Sequence, residues 1–105
     1  MDNITDAQLI DEMLDSAKKL NDVKGMVEKE DLQGAQAALV EMSKNESCGV
    51  CSELISRLSE QVDKTIGLCK DANCKASDYK EINDSVEDTR QLFTEAAELV
   101  NAEEN

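Results

Sequence analysis

The stretch CSELISRLSEQVDKTIGLC, residues 51–69, decides the fold. Cys51, Ile55, Leu58, Val62, Thr65 and Cys69 recur at alternating steps of four and three, and Leu54 and Ile66 widen the stripe. That period belongs to one face of an α-helix and not to the strict alternation of a strand. The spacing predicts a helix from about Ser47 to Lys70, ending in the polar segment Asp71 to Ala76.

The segment that follows repeats the pattern. Tyr79, Ile82, Val86, Thr89, Phe93, Ala96 and Val100 form a second stripe, flanked by Leu92 and Leu99, with Ser77 as the expected cap. The polar and acidic segment 101–105 is expected to fray. Upstream, Thr5 and Gln8 have the spacing of a capping box, and Leu9, Ile10, Met13, Leu14, Ala17, Leu20, Val23 and Val27 mark about six helical turns. Lys29, Glu30 and Asp31 are expected to end that helix. Asp31 is placed to cap a short second one carrying Leu32, Ala35, Ala38, Leu39 and Met42.

Composition agrees. The chain has no proline and only four glycines, and its only aromatics are Tyr79 and Phe93, so an aliphatic and alanine-rich helical core is expected rather than a sheet. At 105 residues it is read as one domain. Four amphipathic helices with short connections predict an all-α, antiparallel, up-down-up-down bundle. The alternative has three long helices with the short second one laid across an end.

Charge is the most unusual property: 24 acidic residues against 11 basic ones give a formal net charge of −13. A field of that sign repels phosphate backbones and anionic lipid, so direct nucleic-acid or membrane binding is not expected, and the complementary partner is a basic protein surface. No apolar run reaches the roughly 20 residues of a membrane span. Residues 1–6 lack the features of a signal peptide, and the expectation is a cytoplasmic chain.

Cys48, Cys51, Cys69 and Cys74 resemble two paired zinc ligands in spacing. A continuous helix between them would hold Cys51 and Cys69 about 27 Å apart, so one ion cannot take all four from one chain. Two separate pairs are expected instead, with Cys69 and Cys74 within disulfide reach across a turn. A homodimer that brings the pairs of two chains together would restore a four-thiolate zinc site. Cys48 and Cys51 have the Cys-x-x-Cys form at a helix start, where the helix dipole favours a reactive thiolate, but no strand precedes them as in thiol oxidoreductases.

Histidine is absent, which removes the commonest general base and the Glu-x-x-His ligands of di-iron bundles. No phosphate-binding glycine loop occurs, and Lys75 and Ile82 occupy ligand positions that a calcium loop would need. No enzyme or resident cofactor is expected. The remaining lead is the outer face of the last helix, where Glu81, Asp84, Asp88, Glu95 and Glu98 form one acidic row that Lys80 and Arg90 do little to neutralise. Carboxylates one helical turn apart approach the spacing of backbone phosphates, so such a face can occupy a basic groove built for nucleic acid. The expected function is therefore a non-enzymatic interaction module, an adaptor or inhibitor. The alternative is a module centred on the cysteines, holding a structural metal or a switchable disulfide.

Overall fold

Two helix starts have the predicted chemistry. In the computed structural model, which describes residues 5–45 and 49–104, Thr5 Oγ1 accepts the Gln8 N–H at 3.1 Å and Gln8 Oε1 accepts the Thr5 N–H at 3.0 Å, a complete capping box. It opens α1, Asp6–Glu28. Asp31 Oδ1 accepts the Gly34 N–H at 3.0 Å and caps α2, Leu32–Asn45. A Cβ on residue 34 would collide with the Asp31 carboxylate, so glycine is what lets the cap lie this close over the first turn.

Helix α3 spans Gly49–Lys70 and α4 spans Ala76–Glu104. The expected α3 start at Ser47 lies outside the described residues. Ser77 does not cap α4. Lys75 holds that position instead, its N–H donating to Asp78 Oδ2 at 2.7 Å while its carbonyl accepts the Asp78 N–H at 2.9 Å. The carboxylate three residues on accepts the N–H of the cap residue, the reciprocal half of a capping box, while the Asp78 N–H that a cap hydroxyl would accept goes to the Lys75 carbonyl.

The four helices form an antiparallel bundle, with no strand among the described residues. The α1–α4 seam is the most extensive, followed by α2–α3, with lesser seams between α1 and α2 and between α3 and α4. The short α2 packs lengthwise on α3 and is not laid across an end. Ser43 near its C-terminus meets Ser56 at 2.9 Å, while residues 31–33 at its start share a surface hollow with Ile66 and Cys69. At the same seam Ser52 Oγ donates to the Ser43 carbonyl at 3.0 Å.

The core consists of Leu20, Val23 and Val27 from α1, Leu39 from α2, Cys51, Ile55 and Val62 from α3, and Ile82, Val86 and Phe93 from α4, all essentially inaccessible to water. Each large side chain buried this way contributes about 1.5–3 kcal/mol. Thr65 and Thr89 also fall on the buried stripes. Their hydroxyls donate to the carbonyls of Gln61 (3.2 Å) and Ser85 (2.9 Å) one turn earlier, which satisfies them without a partner from another helix. Three leucines of the expected apolar faces point outward instead: Leu14, Leu92 and Leu99 are 47%, 52% and 67% exposed.

The two turns at one end of the bundle share a geometry. After α1, Asp31 N–H bonds to Met26 O and Glu30 N–H to Val27 O. After α3, Asn73 N–H bonds to Leu68 O and Ala72 N–H to Cys69 O. Both are Schellman closures, and both place a residue other than glycine in the left-handed region, Glu30 at φ 62° and Ala72 at φ 59°. A left-handed L-residue costs about 1–2 kcal/mol, part of which glycine returns to the unfolded chain as entropy. Glu30→Gly and Ala72→Gly should therefore each stabilise the fold by about 0.5–1 kcal/mol in urea unfolding. An Ala72→Gly protein no more stable than the parent would contradict the turn geometry.

Candidate functional site

All five carboxylates of the expected row, Glu81, Asp84, Asp88, Glu95 and Glu98, are exposed on α4. At about 100° per residue they fall within about 100° of arc, opposite the buried line Ile82, Val86, Phe93 and Ala97. They extend over about 26 Å of helix. Asp84 accepts Lys80 Nζ at 3.1 Å, an exposed pair one turn apart. Glu81, Asp88, Glu95 and Glu98 have no ion pair or side-chain hydrogen bond among the described residues.

Of the two basic residues of α4, Lys80 reaches only Asp84 of the row, and Arg90 belongs to a cluster with Glu87, outside the row, that the sequence did not reveal. Glu87 Oε1 accepts Lys24 Nζ at 3.0 Å and Arg90 Nε at 2.9 Å, while Oε2 accepts Arg90 Nη2 and Gln91 Nε2. Arg90 therefore grips the carboxylate through two nitrogens, and Lys24 ties it to α1. Glu87, Arg90 and Lys24 are each roughly a quarter exposed. The other ion pairs, Lys19–Asp15, Arg57–Glu53 and Lys80–Asp84, lie within single helices on the surface. The Glu87 cluster is thus an anchor of the α1–α4 seam, separate from the outer acidic row. The Glu87–Arg90 spacing of three was visible in the sequence, whereas the Lys24 contact depends on how α1 and α4 pack.

Of the two expected cysteine pairs, one lies wholly within the described residues. Cys69 and Cys74 form a disulfide across the α3–α4 turn, with Cα atoms 4.6 Å apart. The Tyr79 hydroxyl lies 3.5 Å from Cys69 Sγ and 3.9 Å from Cys74 Sγ. Cys51 is buried and also disulfide-bonded. Cys48 lies outside the described residues. A sulfur bonded in this way is not a thiolate. Among the described residues, no group of three or more cysteine, aspartate or glutamate side chains is placed to hold a metal ion. No helix is long and apolar enough to cross a membrane. The hollow of about 420 Å³ beside the disulfide is open to solvent and lined by Glu30, Asp31, Leu32, Ile66, Lys70 and Tyr79 among others. It presents no convergent set of groups for chemistry.

Comparison with protein-family models, with curated proteins and with solved structures finds no match to this chain.

The Arg90 and Lys24 hydrogen bonds hold the Glu87 carboxyl far below the ordinary 4.5 of a glutamate. A depressed folded-state pKa contributes stability above the unfolded-state value, and that contribution is lost as pH falls through the folded-state value. As pH is lowered from about 5, the wild-type protein should lose stability more steeply than Glu87→Gln, which lacks this linkage. The check is paired thermal melts between pH 7 and pH 3, and parallel curves for the two proteins would remove Glu87 from the account.

Proposed function

We propose that this protein is a non-enzymatic interaction module that engages a basic protein surface through the outer face of α4. The observation that carries this reading is the row of exposed carboxylates, four of which have no ion pair among the described residues. With a net charge of −13, the chain attracts cationic surfaces over the distance at which charge steers encounter, about 8–10 Å at moderate salt. A helix holds the row straight, so the carboxylates meet a partner as an ordered line. In the form of this function that mimics nucleic acid, the line fills a groove that would otherwise bind phosphates, and the module acts as an inhibitor. In the adaptor form it joins a basic protein to a third component. Neither form needs a resident cofactor or catalysis.

Linker histone, a lysine-rich protein, is a suitable probe. Its affinity for this chain should fall with rising salt, and the combined change Glu81→Gln, Asp88→Asn and Glu95→Gln should weaken it about tenfold at low salt and little at high salt. That size follows from exposed pairs worth about 0.2–1 kcal/mol each. Fluorescence anisotropy titrations at several salt concentrations read both quantities. Binding unaffected by the triple change would assign the attraction to the overall charge and remove α4 from the proposal.

A second reading is favoured by the Cys69–Cys74 disulfide: a module switched by reduction, in which a dithiol reductant delivers two electrons and two protons and leaves two thiols across the α3–α4 turn. Closing so short a loop contributes about 2 kcal/mol. Cys69→Ser with Cys74→Ser should lower the melting temperature by about 10 °C. If binding to linker histone changes with it, the disulfide regulates the module; if only stability changes, the bond is structural.

A further inference from the structure

Leu92 and Leu99 break the uniformity of the acidic face. They are seven residues apart, so they project from α4 on the same side about 10 Å apart along the axis. Glu81, Asp88, Leu92 and Leu99 fall within about 40° of arc. Asp88 lies one turn before Leu92, Glu95 lies between the two leucines, and Glu98 adjoins Leu99. With 52% and 67% of their surfaces in water, neither leucine is covered by another helix of the bundle.

We infer that this face docks a basic amphipathic helix, whose apolar stripe seats on Leu92 and Leu99 while lysines or arginines beside that stripe meet Glu81, Asp88, Glu95 and Glu98. The inference rests on the proposed function and sharpens the class of partner. Charge selects the occupant. A second copy of this chain would oppose like carboxylates, and phosphates or anionic lipid would be repelled. A uniformly cationic surface would satisfy the carboxylates but leave both leucines in water. Spacing selects a helix: side chains on one face of a strand recur about every 7 Å, whereas a two-turn helical repeat matches the roughly 10 Å between these leucines.

The test uses two synthetic lysine-rich helical peptides of identical composition, one with leucines at every seventh position and one with the same leucines scattered around the helix. The intact protein and a Leu92→Ser, Leu99→Ser variant are titrated with each by calorimetry at low and at high salt. Both leucines are exposed, so the variant should keep its fold, which its circular dichroism and melting curve establish. The expected result is a preference for the in-register peptide of about tenfold or more, retained at high salt where charge is screened and lost in the variant. Equal, salt-sensitive binding of both peptides overturns the inference and leaves the acidic interaction module standing. A preference that survives in the variant also overturns it. Failure of both peptides to bind at low salt overturns the inference and the proposed function together.

Discussion

The antiparallel seam between α1 and α4 is the contact on which the rest of the bundle depends. These are the helices at the two ends of the chain, 23 and 29 residues long, and their pairing closes the ring that the three sequential connections leave open. Neither is stable alone in water, because helix propensity contributes little without a buried face. Leu20, Val23 and Val27 on one side and Ile82, Val86 and Phe93 on the other supply that burial. At the edge of the seam, Glu87 draws together a cation from each helix. In a chain with such an excess of acid, a carboxylate that binds two cations also removes repulsion at the place where the helices must meet.

With the seam formed, the opposite face of α4 is left in water with its row of carboxylates. The long axis of the molecule is 51 Å, of which α4 accounts for about 43 Å and the acidic row about 26 Å, so the row runs along about half of the protein. The shorter α2–α3 pair thickens the bundle on the other side. One end is fixed by two Schellman turns and the Cys69–Cys74 disulfide, which together hold the start of α4 against α3.

The periodicity of residues 51–69 and 79–100 was enough to read the helical class and the bundle, because burial of a stripe at helical spacing has few other solutions. The details that escaped are those in which several residue types serve equally. Lys75 caps α4 because the Asp78 carboxylate reaches back to it, and nothing in the type of residue 75 announces this. Glu30 and Ala72 take left-handed positions that usually advertise themselves as glycine. A strict spacing of 3.5 placed Ala96 on the stripe of α4, but a straight helix advances slightly less than a full stripe per heptad, and Ala97 is the more buried. The same drift carries Leu92 and Leu99 out toward water. The acidic row was legible because its spacing is local, whereas the Lys24–Glu87 contact joins residues 63 apart and required the packing.

The acidic face has a physical cost that bears on what it is for. Glu81 and Asp84, Asp84 and Asp88, and Glu95 and Glu98 are neighbours three or four positions apart, and like charges so placed destabilise a helix by about 0.2–0.5 kcal/mol per pair. Among the described residues, Asp84 alone of these is relieved by a cation one turn away. The penalty is small beside the roughly 5–15 kcal/mol that stabilises a domain, so the fold tolerates it. Solubility alone, however, is served as well by carboxylates interspersed with lysines, and it gains nothing from two leucines set among them. A cationic, apolar-striped partner removes both liabilities at once: it neutralises the repulsion and takes the leucines out of water. On the proposed reading, relief of these two liabilities is the favourable term that association would set against its own ordering and desolvation costs.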